Sequence, residues 1–316
     1  MRCIIAPMFA QVISRYGDHD VLEYTEIPTP TPGPGEIRIR VAYVALNAIE
    51  WKIRSGLLAD ILPQNFPVIL GNEISGIVDH VGDGDHDFRV GDRVAGFVRG
   101  GGDAEYVLTT PNRVAIVPDE LPLRNAVTIP QGVETARRAL AELAVSAGET
   151  VLVNGAAGAV GSAAVQLLAG SGTKVVGTAR PENHAYLRRL GATPIEYGDA
   201  MLDQLATVAP DGVDRALDCG GRGFVRRILP LVPANRILTV VDLDAPALGV
   251  PITMGPGPLE LFADSFRDVL PRAAANEFAT EIAAEFPLRE LAEAQKMNEH
   301  GHFRGKIIVR VGAPDQ

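Results

Sequence analysis

The sequence predicts an α/β chain of two domains, a partly closed β-barrel and a doubly wound parallel sheet. Three observations predict it. Short β-like runs joined by Gly–Asp turns fill residues 11–118. From about residue 123 strands and helices alternate, the rhythm of a parallel sheet with crossover helices. A chain of 316 residues is also long enough for two cores.

The barrel elements come first. Glu36–Val41 alternates Ile37, Ile39 and Val41 with Arg38 and Arg40, the period of a half-buried strand, after the turn-rich connector Pro28–Gly35. Further strands are expected at Ile74–Val81, Arg93–Val98, Glu105–Thr109 and Arg113–Val117. In the second half, Ala126–Ala147 is helix-rich. Strands at 150–153, 174–178, 194–197, 213–218 and 236–241 then alternate with helices at 160–170, 182–190, 200–208 and 222–231. Pro181 suits a first helical position and Gly191 a helix stop. The tail holds helices near Leu259–Ala275 and Leu288–Glu299 and a last strand, Lys306–Val311. A terminal strand needs a partner, so Lys306–Val311 is expected to return to the first domain.

Composition excludes several classes. With 47% hydrophobic and 22% charged residues the chain can bury a core and has no disordered signature. A net charge of −10 argues against a nucleic-acid or membrane-surface binder. No apolar run reaches the roughly 18 residues of a membrane span. Cys3–Ala10 is too short and too broken by Pro7 for a signal peptide. Two distant cysteines, Cys3 and Cys219, build neither a disulfide framework nor a cysteine-rich zinc site, which fits a reducing, cytoplasmic setting.

Residues 151–161, Val-Leu-Val-Asn-Gly-Ala-Ala-Gly-Ala-Val-Gly, carry the strongest functional signal. An apolar run enters a turn of small residues and leaves into a helix-compatible segment. Small residues let a backbone approach a pyrophosphate, and a helix start offers it N–H groups and a positive dipole end. Ala156, Gly158 and Gly161 hold the three fingerprint positions, with Gly155 just before them. A dinucleotide site usually places an acid after the second strand to bind the ribose diol. Here Lys174–Thr178 is followed by Ala179-Arg180, with no acid before Glu182. Arg180 suits an adenosine 2′-phosphate, which predicts NADPH over NADH; the alternative is a solvated arginine ahead of a helix.

Several stretches together resemble one family. Phe66-Pro-Val-Ile-Leu-Gly-Asn-Glu-Ile-Ser-Gly-Ile-Val78, Phe88-Arg-Val-Gly-Asp-Arg-Val-Ala-Gly96, residues 151–161 and Gly301-His-Phe-Arg-Gly-Lys306 follow the order found in the medium-chain dehydrogenase/reductase superfamily. The chain is similar to its zinc-independent quinone oxidoreductase branch. The resemblance implies a GroES-like barrel domain, residues 1–122 and 271–316, around a Rossmann NADP-binding domain, residues 123–270. Where zinc-dependent relatives carry a Cys, this sequence has Asn47; where they carry His-Glu, it has Asn72-Glu73, so softer zinc ligands are missing. The six histidines are scattered and suit surface or structural roles.

Without a metal, an isolated carbonyl is hard to polarise. A conjugated acceptor spreads its own charge, which favours a quinone or an activated C=C bond as hydride acceptor. The resemblance places the active-site segment at Asn47–Gly56. Asn47 can donate to an enolate oxygen, Glu50 can orient neighbours, and Lys52 stands where many relatives carry Tyr, able to donate a proton or hold an oxyanion. The other reading of Lys52 is an exposed helix face. The resemblance also implies that Ala157–Val160, including Ala159, would cradle the pyrophosphate. By position in the family, Thr135, Thr178, Ala179, Tyr197, Cys219, Val241 and Asp242 are expected at the cofactor, and Glu73 in a structural role. The apolar stretch Ser55–Asn65 hints at a hydrophobic substrate. Alternatives are an enoyl reductase or tailoring enzyme of a biosynthetic pathway, and a cofactor-binding protein of this fold with little turnover. Gly249–Met254 reads as a strand after the fifth sheet strand; the resemblance implies that this edge pairs with its twin in a second copy, and pairing removes an unpaired apolar edge, so a homodimer is expected.

Overall fold

The computed structural model describes residues 7–84, 87–253 and 262–312. They form two compact units, divided at Pro130/Gln131 and again within the segment outside the described residues, 254–261. The first unit opens on the antiparallel pair β1 (Met8–Val12) and β2 (Glu23–Ile27). It continues with β3 (Ile37–Ala45), β4 (Glu73–Val81), β5 (Arg93–Phe97), β6 (Tyr106–Thr109) and β7 (Val114–Ile116). The second unit holds β8 (Thr150–Asn154), β9 (Lys174–Thr178), β10 (Thr193–Ile195), β11 (Arg215–Asp218) and β12 (Ile237–Thr239). The chain then returns to the first unit with β13 (Ile282–Pro287) and β14 (Lys306–Arg310).

In the first unit a seven-stranded sheet runs β13-β14-β3-β4-β5-β7, with β6 also on β3. The alternation read in β3 is its pleat: Ile37, Ile39 and Val41 are buried in the core with Val78, Val94 and Ile307. Arg38 points the other way and grips Asp79 of β4 through two nitrogens, at 3.0 and 2.8 Å. The terminal strand does return: β14 pairs antiparallel with β3, Ile308 opposite Ala45. In the second unit five parallel strands run β10-β9-β8-β11-β12. The order reverses beside β8, and in open α/β sheets ligands bind outside the carboxyl ends of the strands at such a point.

Three expectations are corrected. Residues 123–130 and 262–270 belong with the first unit. The helix Leu123–Ala126 packs on β3, β4 and β5, with Leu123 O accepting from the buried Ser75 hydroxyl at 2.8 Å, and Phe266 stacks edge-on against Phe97 of β5. The helix expected near Leu259–Ala275 is only a single turn, Ala263–Ser265, followed by Val269–Ala274; residues 259–261 lie outside the described residues. The edge strand expected at Gly249–Met254 is a single parallel bridge, Thr239 to Ile252, with Met254 outside the described residues. Pro251 has no N–H for a ladder, and Gly249 turns at φ +76 to end the short helix Ala245–Leu248. The strand β13, which sequence periodicity missed, lies parallel to β14.

Candidate active site

In the first unit a polar cluster forms where β3 ends and the antiparallel β4 and β14 begin. The helix Ala48–Arg54 starts straight after β3, capped by Asn47. Glu50, in its first turn, reaches back and accepts the Asn47 backbone N–H at 2.6 Å. The β14–β3 register pairs Ile308 with Ala45, which sets Lys306 beside Asn47. Its ammonium donates to Asn47 Oδ1 at 2.6 Å and lies 2.7 Å from Glu73 Oε2. The β3–β4 register supplies Glu73 from the other side. Lys306 also fixes the amide orientation, since an NH2 group turned toward an ammonium would set donor against donor.

That arrangement corrects the role expected of Asn47. Its Nδ2 faces Glu73 Oε2 at 3.2 Å, Ala45 O at 3.3 Å and Glu50 Oε1 at 3.5 Å. Its two amide hydrogens are engaged inside the protein, so Asn47 ties the cluster together rather than offering a hydrogen bond outward.

Asp103 completes the cluster and was missed, because in the sequence it reads as one more residue of a glycine-rich turn. It is fully buried, and neither carboxyl oxygen meets a hydrogen-bond donor among the described residues. Gly71, at φ +84, makes room for it: a Cβ there would come within 2.8 Å of Asp103 Oδ1. Burial pushes the Asp103 carboxyl up to about 7. Burial raises Glu50 to about 8, with the charge of Asp103 adding to it against the Asn47 N–H and Lys306.

Lys52 lies apart from this cluster. It is half-buried, its ammonium 5.7 Å from the Trp51 ring centroid, and it meets no carboxylate among the described residues. Desolvation lowers its pKa. After it, the turn that follows the helix exposes Leu57 and Ile61 at 60% each, while Leu58 packs inward with Ile13 and Ile53.

In the second unit the expected strand–turn–helix is present: β8, the turn Gly155–Gly158, then the helix Ala159–Ala169. Gly155 adopts φ +72. Gly161 packs so tightly that a Cβ would fall 2.3 Å from Gly155 O. Gly158 caps the helix with no side chain in front of it, so the first-turn N–H groups are left to an outside acceptor. These are the features an anionic pyrophosphate requires, and the turn fits one. Ala157 and Ala179 are buried, and Thr178 serves the turn from below, accepting the Gly155 N–H at 3.1 Å and donating to Asn154 Oδ1 at 2.6 Å. The helix Pro130–Glu142 approaches the same turn at Gly132, where a Cβ would lie 3.1 Å from Ala159 O. It carries Thr135, whose hydroxyl contacts Glu134 and Gln131.

Asp218 ties the strand ends together, a role the sequence did not reveal. Its carboxylate accepts from Asn154 Nδ2 (2.8 Å), the Gly220 and Gly221 N–H groups (3.0 and 2.7 Å) and the Thr239 hydroxyl (3.0 Å). Thr239 in turn accepts the N–H groups of Val241 and Asp242, at 3.1 and 3.0 Å. Val241 and Asp242 are thus held at the carboxyl end of the sheet with Cys219, whose thiol pKa is raised by burial and by Asp218. At the end of β9, Arg180 Nε donates to the Tyr197 hydroxyl at 3.0 Å, and its NH1 lies 3.4 Å from Glu182.

Zinc does not fit the first-unit cluster. An amide stands at Asn47, another at Asn72, and Glu73 is ion-paired to Lys306. Among the described residues no group of three His, Cys, Asp or Glu side chains is arranged to hold a metal ion. No helix among them is long and apolar enough to cross a membrane.

Comparison with known proteins agrees with this architecture. The alcohol dehydrogenase GroES-like domain family matches residues 33–119, and the family described as zinc-binding dehydrogenase matches residues 190–309. The chain is 30% identical to the quinone oxidoreductase of Homo sapiens over 96% of its own length and 97% of the relative's. It is 35% identical to the trans-enoyl reductase himH of Aspergillus japonicus over 58% of each chain. The solved quinone oxidoreductase of Coxiella burnetii superposes with a TM-score of 0.84 at 27% identity, over 97% of this chain and all of that one. The chain is an oxidoreductase of the medium-chain dehydrogenase/reductase superfamily and belongs to its quinone oxidoreductase-like branch.

Proposed function

We propose that the protein is a metal-free, NADPH-dependent reductase of quinones or activated C=C bonds. The observation that carries this reading is the glycine turn of the second unit. It offers a helix start to an anion and admits no side chain at Gly161. Arg180, steadied by Tyr197, supports the 2′-phosphorylated nucleotide, because a guanidinium holds a phosphate with paired hydrogen bonds. When bound, the nucleotide supplies the hydride. The protein supplies position and charge.

Negative charge builds on the acceptor oxygen as hydride arrives, and Lys52 is the cation proposed to hold it or to deliver the proton. Desolvation lowers its pKa, which eases release of its proton. A conjugated acceptor delocalises that charge and needs no Lewis acid. The exposed Leu57 and Ile61 favour an apolar acceptor. Likeness to himH supports an enoyl acceptor as well as a quinone. A homodimer and a cytoplasmic setting are part of the same proposal.

The test is oxidation of NADPH in the presence of a small quinone, a small enone and an enoyl thioester, each compared with Lys52→Met. Turnover with at least one acceptor, cut by about 10²–10⁴-fold in the variant, supports the reading. NADPH binding without turnover on any of the three would instead mark a nucleotide-binding protein.

A further inference from the structure

Among the described residues, the first-unit cluster sets three buried carboxyl groups, Glu50, Glu73 and Asp103, against the single ammonium of Lys306. Glu73 takes that ammonium at 2.7 Å and the Asn47 amide at 3.2 Å, so it is satisfied as a carboxylate. Glu50 has one strong donor, the Asn47 backbone N–H. Asp103 has none: both its oxygens are buried without a donor among the described residues. Two buried carboxyls close enough for one charge to act on the other, with so few donors, resist ionising together, because each charge opposes the other and neither is solvated.

We propose that Glu50 and Asp103 hold a shared proton at neutral pH, and that this proton keeps Glu50 seated on the Asn47 N–H at the start of the helix carrying Lys52. The proton is the donor that Asp103 otherwise lacks. The charged groups facing Glu50 are Asp103 from the turn before β6, Glu73 from β4 and Lys306 from β14; the two acids raise its pKa, and Lys306 opposes them. Loss of the proton leaves Glu50 and Asp103 both charged beside Glu73, with Lys306 already paired to Glu73, and the repulsion acts on the Glu50 carboxyl that holds the Asn47 N–H. Asp103 is therefore a positioning residue that acts through Glu50. The burial that lifts both acids toward and above neutrality supports this assignment. Titration of such a pair belongs to the two groups jointly.

The proton itself stands independently of the proposed function; only its effect on turnover rests on that reading. The experiment is infrared titration of the full chain, following the C=O stretch of protonated carboxyl groups, for the wild type, Asp103→Asn and Glu50→Gln. The wild type is expected to show a buried protonated carboxyl at pH 7 that disappears on raising the pH beyond about 8. In Asp103→Asn the remaining Glu50 signal should titrate at lower pH, since the acid that opposed its ionisation is gone. A purely structural role for Asp103 would leave that midpoint in place. Absence of a protonated carboxyl in the wild type at pH 7 overturns the proposal without any variant, so a variant that fails to fold does not shield it. A band unchanged in both variants overturns it as well. A protein that shows the shared proton yet oxidises no NADPH with any acceptor refutes the proposed function and leaves this inference intact.

Discussion

Lys306 Nζ and Glu73 Oε2 lie 2.7 Å apart, and both side chains are almost wholly buried. The two residues come from strands far apart in the chain, β14 and β4, and β3 between them brings them together. The pair closes the polar cluster at the strand ends.

Breaking that pair from one side should be costly. Lys306→Met leaves Glu73 buried and uncompensated, which costs about 3–5 kcal/mol. Urea denaturation should show the midpoint fall sharply. Adding Glu73→Gln to Lys306→Met should recover much of the loss, because the uncompensated charge is then gone.

The glycine turn should tolerate no side chain. In Gly161→Ala the new Cβ would sit 2.3 Å from Gly155 O, and backbone has nowhere to go. Overpacking of this kind costs roughly 1–3 kcal/mol. Calorimetry should show weaker NADPH binding together with the lower stability.

Arg180→Ala should separate the two nucleotides. Charge-assisted hydrogen bonds are worth about 1.5–3 kcal/mol, so NADPH affinity should fall by roughly 10–100-fold. NADH affinity should barely change. Equal loss of both nucleotides would mean that Arg180 serves the turn rather than the 2′-phosphate.

Stability should fall as pH rises. Asp103 and Glu50 have folded-state pKa values of about 7 and about 8, above their ordinary values of 3.8 and 4.5. Between those limits the folded chain holds protons that the unfolded chain has released, so the slope of unfolding free energy with pH is negative. The contribution is complete below about pH 4 and is lost as pH passes through 7 to 8. Asp103→Asn should therefore flatten the decline in melting temperature between pH 5 and 8, a range set by these two acids.

What could be read from the sequence was whatever lies close along the chain. The turn Gly155–Gly161 is written in consecutive residues, and so is Arg180 after its strand. The return of the last strand followed from its need for a partner. The Lys306–Asn47–Glu73 contact was not legible, because it depends on the registers of two strand pairs, and a shift of one residue would turn each side chain to the other face. Asp103 was hidden for a different reason: a polar residue among glycines reads as an exposed turn, whereas the fold buries it where Gly71 leaves room for it. The role of Asp218 was not legible either, because its bonds to Asn154 and Thr239 come from the packing of β8, β11 and β12.

The central claim is hydride transfer from NADPH without a metal. It is tested most directly by treating the protein with a strong chelator, verifying metal content by elemental analysis, and following NADPH oxidation with the quinone and the enone. The account predicts undiminished turnover in the metal-free protein and no gain on adding Zn²⁺. Turnover that vanishes with the chelator and returns with Zn²⁺, or a failure to bind NADPH at millimolar supply, would contradict it.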